Sequence, residues 1–219
     1  MLNIPYQIQR YPRWCGPAVL AMILTYYGFN IRQHRIATEV MRGNLSYSND
    51  LGKYAARLGL EAFRIFGLED ANAINKLGEL VRNGIPPVVL QRPAPAELDG
   101  HFRVVIDVES TAIVVHDPRY GSNLRYSLTN FLQLWKAGGP IEDDNTTLII
   151  RRLRMNSGID SCPYCGYSPS NTTFTCDYCN QTFPFPQGFP AECSLCNRKW
   201  LRIWCGNCNR SWDYFKPEV

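Results

Sequence analysis

Residues 9–28 read QRYPRWCGPAVLAMILTYYG, and this stretch decides how the fold of the whole chain is interpreted. After Cys15, apolar residues recur at the spacing of one helix face: Val19, Met22, Ile23 and Tyr26. The pattern predicts a helix that begins at Cys15, with Pro17 in the first turn, where the missing N–H of proline has no consequence. Unpaired N–H groups and the helix dipole lower the pKa of a thiol in this place. Cys15 is therefore a candidate nucleophile, and a buried structural cysteine is the alternative.

A nucleophilic thiol needs a base, a group that orients the base and a donor for the developing oxyanion, and the chain offers one of each. Gln9 precedes Cys15 by six residues, and its amide can serve as the donor if the loop between them folds back beside the helix start. His101 opens the apolar run HFRVVIDV, and Asp117 lies near the end of the next run, TAIVVHDP. A hairpin that turns near Glu109 would place His101 directly opposite Asp117, whose carboxylate would hold the imidazole tautomer.

Taken together, these residues resemble those of a known family. The pattern Q-x5-C-G-P-A, followed far downstream by H-F and then by D-P, is similar to that of the papain-like cysteine peptidases that remove double-glycine leader peptides from bacteriocin precursors, and of their free-standing relatives. The resemblance implies that Cys15 is the nucleophile and His101 the base. It further implies that Asp117 orients the imidazole and that Gln9 forms the oxyanion hole. The resemblance covers about residues 1–153.

The chain departs from that family in two respects. The leader-removing enzymes are usually joined to a membrane transporter with an ATP-binding domain, and this chain contains neither. Trp14 stands where an acidic residue is common in the family, which bears on substrate specificity more than on the chemistry.

Composition indicates an ordinary globular domain with a smaller unit attached. The chain has 219 residues, of which 45% are apolar and 19% charged. It lacks a run of ~20 apolar residues, and the segment MLNIPYQIQR is unlike a signal peptide, so we expect a cytoplasmic protein without a membrane span. The formal charge is +4, but eight thiolates and two zinc ions would bring it to about zero. The overall charge therefore does not indicate a nucleic-acid partner.

Periodicity predicts an α+β fold of two lobes, because helices come first along the chain and antiparallel strands later. The predicted helices cover residues 15–27, 31–43, 48–58, 69–84 and 129–138. The predicted strands cover residues 61–67, 88–91, 101–108, 111–117, 124–127 and 146–154. In this arrangement Cys15 lies on the helical side and His101 on the sheet side.

After a polar linker at residues 154–161, residues 162–219 carry four C-x-x-C pairs. They are Cys162 and Cys165, Cys176 and Cys179, Cys193 and Cys196, and Cys205 and Cys208. Each pair forms a knuckle, and two knuckles complete a tetrahedral structural zinc site. The spacing favours pairing in sequence order, which predicts tandem zinc ribbons with two structural zinc ions. A redox dithiol is disfavoured because its βαβ context is absent.

The ribbons bury little apolar surface, so their folding should depend on zinc, whereas residues 1–153 are expected to fold by themselves. Aromatic side chains in the tail are candidates for docking a protein substrate or partner: Phe174, Phe183, Phe185, Trp200, Trp204 and Trp212. A nucleic-acid contact through the tail arginines and lysine is the weaker alternative: Arg198, Lys199, Arg202 and Arg210.

The sequence thus predicts a papain-like cysteine peptidase domain followed by a small zinc-ribbon domain that recruits a peptide or protein substrate. Catalysis needs no cofactor in this interpretation. Two alternatives stay open at this point. The same acyl-enzyme chemistry serves an acyl transferase, in which an amine replaces water, and an inactive papain-like adaptor would use the ribbons only for binding.

Overall fold

The structure is a computed structural model, which describes residues 1–66, 70–92, 100–136, 146–152, 162, 164, 172–175, 182–184, 200–205, 208 and 210–215. The described helices are α1 Cys15–Tyr26, α2 Gln33–Val40, α3 Ser48–Arg57, α4 Asp70–Arg82 and α5 Leu128–Lys136. Short strands β1 Met41–Arg42 and β2 Leu45–Ser46 form a separate hairpin. The remaining strands are β3 Leu60–Ile65, β4 Pro87–Gln91, β5 His101–Val108, β6 Ala112–Asp117, β7 Gly121–Ser127, β8 Thr147–Arg152, β9 Thr172–Thr175, β10 Thr182–Pro184, β11 Trp200–Cys205 and β12 Ser211–Phe215.

Helix α1 begins at Cys15, as the sequence predicts, and is the most deeply buried helix among those whose side chains the structure describes. Its first ten residues, 15–24, are all buried. A helix that is apolar on every side must be covered on every side. Helices α2 and α3 and strand β5 of the sheet all contact α1. The helix that carries the thiol is therefore held from several directions.

Helix α2 is shorter than predicted. The sequence predicts that it continues to Gly43, but it ends at Val40 and is followed by the hairpin of β1 and β2. Gly43 has φ 62°, a left-handed conformation that glycine adopts without strain, and so it belongs to the tight turn of the hairpin. This turn brings Ser46 of β2 against the start of α1.

The ten longer strands form one antiparallel sheet in the order β10-β9-β11-β12-β3-β8-β4-β5-β6-β7. Side chains that alternate along the strands enter two apolar clusters. Helices α1, α2 and α3 contribute to one cluster, and α4 and α5 contribute to the other. The central strands β3, β4, β5 and β8 are thus covered on both faces. None of the described helices is long and apolar enough to cross a membrane.

The hairpin of β5 and β6 forms as predicted, but its register is shifted by two residues. Val104 pairs with His116 and Val105 with Val115, and a bulge follows Val105. If the pairing of Val104 with His116 is continued by one residue, Asp117 lies opposite Arg103 rather than opposite His101. His101 is then the diagonal neighbour of Asp117, which is still close enough for contact between long side chains.

The tail joins the same sheet instead of standing apart. Strand β12 pairs with β3, with Tyr214 opposite Phe63. The buried carboxylate of Asp213 accepts hydrogen bonds from Nε of Arg64 at 2.6 Å and from Nε of Arg202 at 2.9 Å. The sequence predicts that residues 1–153 are self-contained, whereas in the structure the tail supplies the strand that covers the edge of β3.

Candidate active site

The Cys15 thiol lies at the first residue of α1, where only 7% of the residue is exposed. The next residue must be small. A Cβ atom at Gly16 would lie 2.0 Å from Oγ of Ser46, which is far inside van der Waals contact. The glycine therefore lets the β1–β2 hairpin approach the start of the helix, next to Cys15.

The imidazole of His101 bridges the thiol and a carboxylate at the start of β5. Its Nε2 lies 2.8 Å from Oδ1 of Asp117, which leaves Nδ1 for the hydrogen bond with Cys15. Burial lowers the pKa of His101, but the hydrogen bonds and negative charges of Asp117 and Cys15 outweigh that effect and raise it. The site therefore favours an imidazolium.

The pKa of Cys15 moves in the opposite direction. Burial raises it, but the hydrogen bond and positive charge of His101, with smaller contributions from the backbone at Phe102 and Gly16, bring it below its usual value. A lowered thiol pKa beside a raised imidazole pKa is the condition for a thiolate–imidazolium pair, in which the sulfur is already nucleophilic.

Asp117 is fully buried and accepts several hydrogen bonds. Its Oδ1 accepts from His101 and from the backbone N–H groups of Arg119 at 2.8 Å and Tyr120 at 3.0 Å. Burial alone would raise the pKa of this carboxyl group, but these bonds, the charge of His101 and the charge of Arg103 lower it to about 2. Asp117 is thus ionised wherever the protein is folded near neutral pH.

Arg103 of β5 also belongs to the site, because it contacts Asp117. The sequence interpretation does not identify this residue. Its side chain is fully buried, and its Nε donates to Oδ2 of Asp117 at 2.6 Å. Its Nη1 donates to Oε1 of Gln91 at 3.0 Å, and Nε2 of Gln91 donates to the carbonyl of Phe131 at 3.0 Å. The signal in the sequence is an arginine inside the apolar run HFRVVIDV, two residues after His101.

The loop that leads to Cys15 folds back, as expected for a Gln9 donor. The backbone N–H of Gln9 donates to the carbonyl of Pro118 at 2.8 Å, next to Asp117. Its side-chain Nε2 donates to the carbonyl of Tyr11 at 3.1 Å, and that carbonyl also accepts the N–H of Trp14. The amide has a second N–H to offer. Gln9 therefore lies beside the carboxylate end of the site, and its oxyanion role stays a prediction.

The other histidines do not join this group. His116 is buried with both ring nitrogens engaged, since Nε2 donates to the carbonyl of Ile4 at 3.0 Å and Nδ1 accepts the N–H of Asn123 at 3.2 Å. His34 is exposed on α2. His116 is therefore a structural residue, and His34 lies on the surface.

In the tail, the structure brings together cysteines that the sequence predicts to be apart. The Sγ atoms of Cys162, Cys205 and Cys208 all lie within 4.8 Å of one another. Pairing in sequence order would instead place Cys162 in one zinc site with the second knuckle, Cys176-x2-Cys179. The other predicted metal ligands lie outside the described residues: Cys165, Cys176, Cys179, Cys193 and Cys196. The number of bound zinc ions stays a prediction.

Solved structures share this fold over 69% of the chain. A protein described as a C39-like peptidase from Bacillus anthracis is 21% identical, with a TM-score of 0.56, and is covered over 96% of its length. The peptidase domain of Streptococcus ComA, a bifunctional ABC transporter of a quorum-sensing pathway, is 19% identical, with a TM-score of 0.56, and is covered completely, at 100%. A double-glycine motif protease from an AMS/PCAT transporter, in complex with its leader peptide, is 19% identical over 93% of its length, with a TM-score of 0.52.

Comparison with curated proteins found no match to this chain. The model of the Peptidase_C39 like family matches residues 1–141, which include Gln9, Cys15, His101 and Asp117. Because this match spans more than half of the 219 residues, the chain belongs to the Peptidase_C39 like family and is a cysteine peptidase.

Proposed function

We propose that Cys15 is the nucleophile of this peptidase, His101 its acid and base, Asp117 the orienting carboxylate and Gln9 the oxyanion donor. The observation that carries the proposal is the buried, hydrogen-bonded series from the thiol of Cys15 through His101 to Asp117. A series of this kind pairs a nucleophile with a base and the base with an orienting group. A cysteine retained only for packing has no need of the last two.

In the first half of the reaction, the Cys15 thiolate attacks the carbonyl carbon of the scissile peptide bond. A C–S bond forms, and the carbonyl oxygen gains a negative charge, which the Gln9 amide N–H stabilises. The imidazolium of His101 then gives its proton to the leaving amine as the C–N bond breaks. The products of this half are the released amine and an acyl group bound to Cys15.

In the second half, His101 is neutral and acts as a base. It takes a proton from a water molecule, whose oxygen attacks the thioester carbon. The C–S bond breaks, the carboxylic acid product leaves, and the thiolate and imidazolium are restored. Asp117 keeps the same ring nitrogen of His101 protonated throughout, because its Oδ1 holds that N–H at Nε2.

For the substrate, we propose a peptide cleaved after a Gly-Gly pair. The similarity in fold to a double-glycine motif protease supports this choice. A buried thiol also suits glycine, since a residue without a side chain allows the substrate backbone to approach closely. Trp14 precedes the nucleophile, and its ring lies 4.6 Å from that of Tyr11, so these two residues are candidates to contact the leader.

The tail is proposed to bind two structural zinc ions and to recruit the substrate or a protein partner. Trp212 does not take part in docking, because only 1% of it is exposed and it packs in the core. The other docking candidates from the sequence remain: Phe174, Phe183, Phe185, Trp200 and Trp204. Under this proposal residues 162–219 add binding energy remote from the reacting bond, and residues 1–153 carry the chemistry.

The test is cleavage of a synthetic leader peptide that ends in Gly-Gly followed by a short cargo, with both products identified by mass spectrometry. Wild-type protein should cut after the second glycine, and Cys15→Ser should abolish cleavage. Gln9→Ala should lower kcat about 10²–10³-fold while leaving KM nearly unchanged, since the amide acts in the transition state.

A matched control is Gln7→Ala, which removes a side-chain amide from the same segment. The Nε2 of Gln7 donates to Oγ1 of Thr25 on α1, so the change tests the packing of the segment without removing the proposed donor. Equal losses of kcat in Gln7→Ala and Gln9→Ala would contradict the role of Gln9. Cleavage by Cys15→Ser at the wild-type rate would contradict the whole assignment.

A further inference from the structure

The three described cysteines of the tail are spaced for a metal ion rather than for a disulfide. The Sγ atoms of Cys162 and Cys208 lie 3.7 Å apart. A disulfide would bring them to about 2.05 Å. Two thiolates on one tetrahedral zinc lie about 3.8 Å apart, given Zn–S bonds of about 2.3 Å. The observed separation matches the edge of that tetrahedron.

The first knuckle is held against the peptidase sheet by Tyr164, which lies between its two cysteines in the sequence. The Tyr164 hydroxyl accepts the N–H of Phe66, at the end of β3, at 3.1 Å and donates to the carbonyl of Ser211 on β12 at 2.8 Å. The N–H of Tyr164 points at Sγ of Cys162 at 3.4 Å. Tyr164 and Cys162 therefore lie where β3 and β12 meet.

The fourth knuckle, Cys205-x2-Cys208, lies between β11 and β12, close to Cys162. The N–H of Cys205, the last residue of β11, donates to the carbonyl of Arg210 at 2.9 Å, which closes the turn that contains Cys208. Cys162 and Cys205 are buried in the same apolar cluster, together with Trp212 and Tyr214. Cys162 thus lies beside Cys205 and Cys208 on the sheet, although the two knuckles to which these residues belong are far apart in the sequence.

We propose that the first and fourth knuckles form one zinc site with four cysteine ligands, of which Cys162, Cys205 and Cys208 are three and Cys165 is the fourth. The C-x-x-C spacing makes Cys165 the natural partner of Cys162. The inner knuckles, Cys176-x2-Cys179 and Cys193-x2-Cys196, are then left for the second zinc ion. The pairing is nested instead of sequential, and it rests on the proposed binding of zinc by the tail.

Nested pairing would also affect the stability of the peptidase fold. A sequential pairing would close two short loops, each within the tail. The nested site instead ties the beginning of the tail to its last hairpin beside β3, and so zinc would hold β12 in the sheet that carries His101 and Asp117. Zinc would then stabilise the peptidase fold itself, since a metal bound only by the folded state adds its binding energy to folding.

The direct test uses the full-length wild-type protein loaded with ¹¹³Cd²⁺, a soft cation that accepts the same four thiolates. Metal analysis first establishes how many ions each chain binds. Proton–cadmium correlation spectra then show which cysteine β-protons couple to which cadmium. We expect Cys162, Cys205 and Cys208 to share one cadmium signal. Coupling of Cys162 and Cys176 to a common cadmium would overturn the nested pairing, although zinc binding by the tail would stand.

Two double variants of the zinc-loaded protein give reciprocal results. Cys162→Ser with Cys205→Ser removes ligands from one site under nested pairing, so one zinc ion per chain should remain. Cys162→Ser with Cys176→Ser removes ligands from both sites, so no zinc should remain. Sequential pairing predicts the reverse. Loss of both ions from both variants would also overturn the proposal, because pairing of the first knuckle with the third predicts it.

Discussion

Arg103 is the residue on which the charge balance of the buried site depends. In the active form, Cys15 and Asp117 are negative, and His101 and Arg103 are positive, so the four charges cancel. All four residues are buried, with exposed fractions between 0% and 7%. Uncompensated charge in such a place is costly. Without Arg103 the same site would carry one net negative charge, which disfavours a thiolate.

We therefore expect Arg103→Met to raise the pKa of Cys15, because a positive charge is lost while the carboxylate of Asp117 remains. The measurement is the rate of alkylation of Cys15 by iodoacetamide as a function of pH, followed by mass spectrometry. In the wild type the pKa of Cys15 is lowered, so half of the plateau rate should be reached below the value of about 8.5 for a free cysteine. In Arg103→Met this midpoint should move to higher pH.

Arg103→Lys is the matched control, because it keeps the charge and loses the second hydrogen bond of the guanidinium. Its midpoint should stay closer to the wild type. Removing one partner of a buried ion pair costs about 3–5 kcal/mol of stability, so circular dichroism must show that Arg103→Met is folded. An unchanged midpoint in folded Arg103→Met would mean that Arg103 is only structural.

At the scale of secondary-structure elements, helix α3 contacts strand β12, and this contact joins the tail to the peptidase core. Gly52 of α3 faces the ring of Phe215, the last residue of β12. A Cβ atom at residue 52 would lie 2.7 Å from two carbon atoms of this ring. Phe215 is buried in the same cluster as the residues of α1, so the tail contributes to the core that surrounds this helix.

Gly52→Ala should therefore destabilise the protein by about 1–3 kcal/mol through overpacking, even though alanine favours a helix. Phe215→Leu should make room for the added methyl group, so the double variant should be more stable than the sum of the single changes predicts. Urea unfolding of the two single variants and the double variant measures this coupling.

Gly78→Ala on α4 is the control for this double-mutant cycle. There the nearest atom to an added Cβ is Nη1 of Arg82, at 3.0 Å, at the end of a flexible side chain that can move. The change should have little effect, and it should be additive with Phe215→Leu. Additivity of Gly52→Ala with Phe215→Leu would show that α3 and β12 do not touch in solution.

For the whole molecule, the ten-stranded sheet makes the stability of the peptidase depend on the tail. Strand β3 is bordered by β8 on one side and by β12 on the other. Removal of β12 would expose the β3 edge to pairing with other molecules. It would also leave the buried Arg64 without the carboxylate of Asp213.

A chain that ends at Arg152 should thus unfold at a lower urea concentration than the full-length protein. Loss of the pairing between β3 and β12, and of the ion pair between Arg64 and Asp213, should account for the decrease. This expectation reverses the one from the sequence, in which residues 1–153 fold by themselves. Equal unfolding midpoints for the two chains, at equal slopes, would support the separate domain after all.

The sequence by itself determined the local features of this protein. The helix that starts at Cys15, the hairpin that carries His101 and Asp117, and the metal spacing of the tail all follow from patterns within a few residues. Family membership follows as well, because the peptidase motif keeps its order along the chain. Periodicity and capping act over short distances, which is why such features can be read from the sequence.

The tertiary structure alone decided the long-range pairings. The hairpin turns at residues 109–112 instead of at Glu109, and the bulge after Val105 moves the pairing back by one residue, so that Arg103, rather than His101, stands opposite Asp117. The joining of β12 to β3 and the approach of Cys162 to Cys205 and Cys208 link segments that are distant in the sequence. The spacing along the chain favours pairing of neighbouring knuckles, but each C-x-x-C knuckle has the same chemistry, so the ligands themselves do not distinguish one pairing from another. The tail is held on the peptidase sheet by the burial of Phe215 and by the hydrogen bonds of Asp213 and Tyr164, and these interactions form only in the folded chain.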